Sequence, residues 1–497
     1  MSGGDWIGER AWRDPDRIAL IAGGEVISYG ALDARARDAA GRLLTLGVGP
    51  RDRIAVLGGA ALDAITILHA LPKLGAVFVP IHARLTPEEA AWQIADCDAR
   101  ALLYSGAHHT SAARAAEEIP GLSRAAFDAP LPGDPRFADL SAASFSAPIA
   151  GSDSLHTLVY TSGTTGRPKG VALTFGNHLA SARGAEQRLD LHPDDRWLLC
   201  MPLYHVGGLA IPLRAVLTGC AVILHEGFDE HRVLEEVAHH RVTHVSLVPL
   251  MLRRVLDADA AARADLSSLR CVLLGGAPAP DDLLEASLAR GIPLAPTYGL
   301  TECASQVATL APKEIHKGRG TVGRALPGVS IRIVRCDGSE APPGETGEIE
   351  VRGPVVTPGY WRRPEETRAA LRDGWLATGD IGRLDPKGRL AVVDRKSELI
   401  ISGGENISPA EVERVLLAHP DVLEAAAAGR PDARWGEALV AAVVARSGAA
   451  IAGDDLIAHC RRHLAAYKLP RDIRIVAALP RSTLGKVQRR EVAKLFE

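Results

Sequence analysis

The chain has 497 residues, too many for one small core, and its 47% hydrophobic and 24% charged content is that of an ordinary globular protein, not a disordered or fibrous one. Lys and Arg number 57 against 60 Asp and Glu, so no positive excess singles out nucleic acid or an anionic membrane as partner; a small polyanion needs only a local site. The seven cysteines include no C-x-x-C pair and none of the 17 histidines stands in H-E-x-x-H spacing, which argues against a disulfide framework, a structural zinc site and a bound transition metal.

The opening MSGGDWIGER carries no basic stretch followed by an apolar one, and no apolar run approaches the roughly 18 residues that span a bilayer; a cytoplasmic location is expected. From about Asp52 to Ala311 short apolar runs (RIAVLGG, AVFVPI, ALLYSG, TLVYTSG, CAVILHEG, VTHVSLVPL, CVLLGGAPAP, PLAPTYG) alternate with helix-like stretches. That rhythm predicts repeated β-α units and largely parallel sheets covered on both faces, with ligands bound at the loops where runs end in Gly, Ser or Thr. Near Gly320 the character changes to SIRIV, GEIEVRG and RLAVVD between Gly, Pro and Asp turns, the pattern of a small β subdomain at about 320–394.

A second change follows Asp394. In ISGGENISPAEVERVLLAHP, Ser408 is placed as N-cap, Pro409 as first helical residue and Glu411 as the return partner of a capping box, with Val412, Val415 and Leu416 on the buried face. Further helices, VAAVVA and DIRIVAALP complete a compact unit of about one hundred residues. The expected fold is α/β: a large N-terminal body of layered β-α sheets with its β subdomain (1–394) and a small mobile C-terminal α+β domain (395–497).

The strongest local signal follows the apolar run LHTLV: Tyr160, Thr161, Ser162, Gly163, Thr164, Thr165, Gly166, Arg167, Pro168, Lys169 and Gly170. Small residues let backbone N–H groups approach phosphate oxygens, hydroxyls add donors and Lys169 adds charge, so the loop suits a polyphosphate. No Gly-Lys-Ser/Thr closes it before a helix, which sets it apart from a P-loop.

TSGTTGRPKG resembles the signature of the adenylate-forming superfamily of acyl-CoA synthetases, adenylation domains and luciferases. Further blocks stand in that superfamily's order: MPLYHVGG (201–208), GGAPAP (275–280), TYGLTE (297–302), TGD (378–380), DRKSELIISGGENISPAEVE (394–413) and PRSTLGKVQRRE (480–491). The resemblance covers essentially the whole chain. It implies an AMP-forming acid:CoA ligase that uses ATP, Mg2+ and coenzyme A with a small carboxylic acid. A homodimer is admitted, and no nucleic acid or integral membrane segment is involved.

The resemblance also implies roles. Lys486 contacts the acid and the α-phosphate during adenylation; Thr301 hydrogen-bonds the α-phosphate; Glu302 meets magnesium, a hard cation that prefers carboxylate oxygen. Thr297 and Tyr298 lie against the nucleotide, with Tyr298 facing adenine and Gly275, Gly276 and Ala277 leaving room for the base. Asp380 holds the ribose hydroxyls, and Arg395 contacts ribose or phosphate at the hinge about which the C-terminal domain rotates between half-reactions. Many relatives carry Asp or Lys where this chain has Ser397, which leaves the pivot open. After rotation the turn Gly403, Gly404 and Glu405 lines the pantetheine channel.

His205 matches the position beside the acyl pocket. Its block lacks the aspartate with which adenylation domains bind an amino group, which argues against an amino acid substrate. PLYHVGGL with Arg214, and SQVATL after the Thr-Glu pair, are most similar to the o-succinylbenzoate:CoA ligases of menaquinone biosynthesis. Their substrate carries a second carboxylate that stays unactivated, and Arg214 and Ser305 are the candidates to bind it. Ligases for medium-chain, aryl or malonate-like acids, and stand-alone adenylation enzymes that load a carrier protein, are the alternatives.

Overall fold

The computed structural model describes residues 4–59, 61–146, 150–161, 167–277, 279, 281–335, 337–395, 400–446, 449, 451–481 and 487–497, apart from the side chains of 261, 262, 394, 395, 406 and 410. The phosphate loop from Ser162 to Gly166, the pivot at Ser397 and the lysine Lys486 therefore lie outside the described residues.

The body is built on two sheets. One has seven strands in the order Gly359–Tyr360, Lys169–Thr174, Leu155–Thr161, Val77–Ile81, Arg53–Leu57, Ala99–Tyr104 and Ser123–Ala126, the last five running parallel. The other has nine, with Leu294–Leu300, Cys271–Leu274, His244–Leu247, Arg196–Leu199, Ala221–Leu224 and Ile18–Ala22 parallel at its centre. Each apolar run of the β-α region becomes one of these strands. Their Val, Ile and Leu residues are buried on both faces, as parallel strands covered by helices require. The sequence reading did not place the hairpin Ile18–Ala22 and Glu25–Ser28, which extends the nine-stranded sheet at its edge.

The helix Val206–Thr218 is buried along nearly its whole length and belongs to the core cluster that draws residues from both sheets. Gly208 lets it start there: a Cβ at that position would lie 2.2 Å from the Pro202 carbonyl oxygen.

The β subdomain is an antiparallel sheet of Ser330–Val334, Gly347–Arg352, Trp375–Leu384, Leu371–Arg372 and Leu390–Arg395. The C-terminal sheet comprises Glu405–Ile407, Ile400–Ser402, Gly436–Ala445, Val422–Asp432 and Asp472–Ile475. The alanines 425–428 fall in its strand Val422–Asp432, mostly buried. The helix Pro409–Leu417 begins where expected and buries Val412, Val415 and Leu416. Its capping box does not form. The Ser408 side chain makes no cap bond, and the Glu411 carboxylate instead accepts a hydrogen bond from Lys468 Nζ at 2.9 Å, because a buried ammonium is a stronger partner than a backbone N–H.

Candidate active site

A cavity of about 790 Å³ opens where the carboxyl ends of the parallel strands face the C-terminal sheet. Its wall includes Thr161, Lys169, His205, Gly275, Gly276, Thr297, Thr301, Glu302, Ser305 and Gly404, all singled out by the sequence. Tyr298 and Asp380 are buried outside that wall, and Tyr298 donates its hydroxyl hydrogen to Asp380 Oδ2 at 2.6 Å. Burial first, then the neighbouring carboxylate, pushes the Tyr298 pKa well up, so the phenol keeps its proton. Ala277 does not line the cavity either, and the side chain of Arg395 lies outside the described residues.

Thr301 and Glu302 stand on a single 3-10 turn, Thr301–Cys303, between the antiparallel strands Leu294–Leu300 and Ser305–Thr309. Ala304 at φ 49° and Ser305 at φ 101° make the reversal. A Cβ on Gly299 would lie 1.6 Å from the Ser305 carbonyl oxygen, so only glycine permits the approach. The turn is pinned from below by the Thr357 N–H, which donates to the Glu302 carbonyl at 2.7 Å. Glu302 Oε1 accepts from the Tyr360 hydroxyl at 2.9 Å, and Lys169 Nζ lies 5.3 Å from the centre of the Tyr360 ring. Tyr360 thus connects the lysine of the phosphate loop to the carboxylate of the TYGLTE block, two elements far apart in sequence. One carboxylate is a donor set that suits Mg2+, which keeps several waters and phosphate oxygens in its shell.

At the other end of the cavity Glu405, one residue beyond the Gly403 and Gly404 turn, reaches across to the body. Its Oε2 lies 3.0 Å from His82 Nε2 and 3.1 Å from His205 Nε2, and Arg84 pairs with Oε1. The Arg84 backbone N–H donates to His82 Nδ1 at 3.0 Å. The ring therefore carries its proton on Nε2 and donates to Glu405. The three groups are near enough to hold a metal ion, but that proton makes the cluster a hydrogen-bonded clasp instead. His82 is sandwiched between Tyr204, centroids 4.0 Å apart, and Tyr467, 4.9 Å apart and 8° from parallel. Burial lowers the pKa of both His82 and His205 to about 3, so both are neutral donors near pH 7.

Arg214 occupies neither the cavity wall nor the surface. It is 1% exposed on the buried helix Val206–Thr218, and none of its three guanidinium nitrogens has a hydrogen-bond partner among the described residues. Its carbon centre lies 5.7 Å from the Trp197 ring centre. Trp197 Nε1 in turn donates to Ser246 Oγ at 3.2 Å, and Ser246 lines the cavity. The arginine is thus one side chain behind the wall. Burial pulls its pKa down to about 10, which leaves it charged. The helix VGGLAIPLRAVLT has no polar face, and that was the signal for a buried arginine.

The sequence points to Glu405 through its turn, and Glu405 lines the cavity; sequence reasoning missed His82, Tyr360, Tyr467 and Lys468. His82 follows the carboxyl end of the strand Val77–Ile81, a place where ligand-facing residues concentrate; the others carry no local signal.

The family model described as AMP-binding enzyme matches residues 7–361, and that described as AMP-binding enzyme C-terminal domain matches residues 411–486. The chain is 42% identical to a 2-succinylbenzoate--CoA ligase of Geobacillus kaustophilus over 499 residues, covering 99% of this chain and 98% of the relative. It is similar to a double mutant of o-succinylbenzoate CoA synthetase from Bacillus subtilis bound with its product analogue, at TM-score 0.91 and 36% identity over 99% of this chain and 98% of that one. The Bacillus subtilis enzyme in complex with its acyl-adenylate intermediate gives 0.74 at the same 36% identity, over 98% and 97%.

Proposed function

The chain belongs to the AMP-binding enzyme family, and from that premise we propose that it is an ATP-dependent o-succinylbenzoate:CoA ligase of menaquinone biosynthesis. In the first half-reaction a carboxylate oxygen of the acid attacks the α-phosphorus of ATP and pyrophosphate leaves. In the second, the coenzyme A sulfur attacks the acyl carbon, the thiol proton is lost and AMP departs.

Thr161, Lys169 and the loop between them are assigned to the phosphates and Thr301 to the α-phosphate; Glu302 would hold Mg2+, which would supply positive charge against the repulsion between the two anions. Lys486 adds its charge at the α-phosphate during adenylation. Gly275, Gly276 and Thr297 in the cavity wall are assigned to adenosine; Ala277, Tyr298 and Asp380, which do not line that cavity, are assigned to it on the family resemblance alone. Arg395 marks the hinge, and the C-terminal domain from 395 rotates between the steps. The clasp of Glu405 on His82 and His205, together with the higher likeness to the product-analogue complex, supports assigning this arrangement to the second half-reaction.

The observation that carries the choice of acid is Arg214. A buried guanidinium without a counter-charge is costly, and a second carboxylate in the acyl pocket supplies one, directly or across the Trp197 and Ser246 layer. Ser305 in the cavity wall is the second candidate donor. Among the described residues no helix is long and apolar enough to cross a membrane; the enzyme is proposed to work in the cytoplasm, and light scattering would separate monomer from homodimer.

The test is pyrophosphate release with ATP and a panel of o-succinylbenzoate, benzoate, malonate and medium-chain acids, followed by thioester analysis with free coenzyme A. The highest kcat/KM is expected for o-succinylbenzoate with coenzyme A as acceptor. No turnover of that acid, or acceptance only by a carrier protein, would overturn the proposal.

A further inference from the structure

Lys468 is 3% exposed, and its ammonium lies 2.7 Å from Glu89 Oε1 and 2.9 Å from Glu411 Oε1. Glu411 is on the helix Pro409–Leu417 of the same C-terminal unit, whereas Glu89 is on the helix Pro87–Asp96 of the body. We propose that Glu89 and Lys468 form a positioning pair that seats the C-terminal domain for thioester formation and has no part in adenylation. This rests on the reading of the chain as an acyl-CoA ligase.

Three features support the assignment. Lys468 keeps Glu411 as a partner whichever way the C-terminal domain turns, so release from Glu89 never leaves a lone buried ammonium; the docking contact is reversible at modest cost. Tyr467, its chain neighbour, stacks on His82, and His82 donates to Glu405, so the pair and the clasp seat the same face together. Glu89 also divides its oxygens between two tasks. Oε2 accepts the Thr86 N–H at 2.9 Å in a capping box that starts its helix, while Oε1 faces Lys468. The capping role is local to the body and the other reaches across, which allows them to be separated: glutamine retains the cap acceptor and loses the charge.

Glu89→Gln, Lys468→Met, Lys468→Arg and the double variant Glu89→Gln/Lys468→Met are compared with the unsubstituted chain in two measurements. One is single-turnover pyrophosphate release from ATP and acid without coenzyme A. The other is decay of the enzyme-bound adenylate on mixing with coenzyme A. Glu89→Gln and Lys468→Met are expected to slow the second step by at least about tenfold, with the first within about twofold. Lys468→Arg should recover most of the loss, and the double variant should be no slower than the slower single one. Equal losses in both steps, as a purely structural role would give, or no loss in the second, would overturn the assignment. Failure of the unsubstituted chain to form an adenylate from any acid would instead overturn the ligase reading.

Discussion

Arg214 and Lys468 are both almost fully buried cations near one cavity, yet their surroundings are opposite. Lys468 lies between Glu411 and Glu89; burial alone would lower its pKa, but the two carboxylates outweigh burial and raise it. Arg214 has an aromatic neighbour and, among the described residues, no carboxylate partner, and burial lowers its pKa. A fold that buries a charge with its counter-ion has built a joint, while one that buries a charge without a counter-ion has left part of the electrostatics to a ligand. The same contrast divides the reaction: Arg214 is assigned to recognition of the acid and Lys468 to the domain arrangement of the second step.

The largest expected effect lies with Lys486, outside the described residues. Lys486→Ala should cost adenylation on the order of 3 kcal/mol or more, a hundredfold or greater, read as single-turnover pyrophosphate release. A loss below tenfold would mean that charge at the α-phosphate comes from elsewhere, Lys169 first.

Arg214→Met should raise KM for o-succinylbenzoate by roughly ten- to a hundredfold, the range of a hydrogen bond to a charged group worth about 1.5–3 kcal/mol. Thermal unfolding should not shift downward, because methionine removes an unpaired buried charge. Glu411→Gln should behave conversely. It strips the joint of its internal counter-ion and should destabilise by about 2 kcal/mol, since Glu89 remains to share the ammonium. If Arg214→Met is the less stable variant of the two, the distinction between joint and ligand site fails.

The smallest effect is one of pH. Burial lowers the pKa of His82, His178 and His205 to about 3, and of His69 and His244 to about 4, from an ordinary value of 6.5. Below 6.5 the unfolded chain takes up protons that the folded chain refuses, so stability is fully present above that value and declines as pH falls toward 3. The midpoint temperature should therefore be lower at pH 5 than at pH 7.5. His82→Gln, which keeps a donor toward Glu405, should reduce that dependence.

Most of the fold was legible because parallel β-α units write themselves as apolar runs separated by helices, and RIAVLGG, VTHVSLVPL and CVLLGG each became a buried strand. The edge hairpin Ile18–Ala22 and Glu25–Ser28 was not, since two short strands outside the βα rhythm carry little periodicity. Two residues of the cavity wall were legible for a related reason: Lys169 and Glu302 stand in blocks whose local chemistry is distinctive. Tyr360, which lies between them, is an isolated aromatic whose place is set by tertiary contact alone. Glu411 shows the limit of local rules, as its capping pattern was overridden by an ammonium 57 residues away. Arg214 is expected in the acyl pocket, whereas the apolar residues all round its helix point to burial behind the wall.

The most direct test compares binding of o-succinylbenzoate with that of its analogue lacking the second carboxylate, in the unsubstituted chain and in Arg214→Met. A preference of about tenfold or more for the diacid that disappears in the variant is the expected result. A preference of the same size in both proteins would show that the buried guanidinium does not recognise the acid.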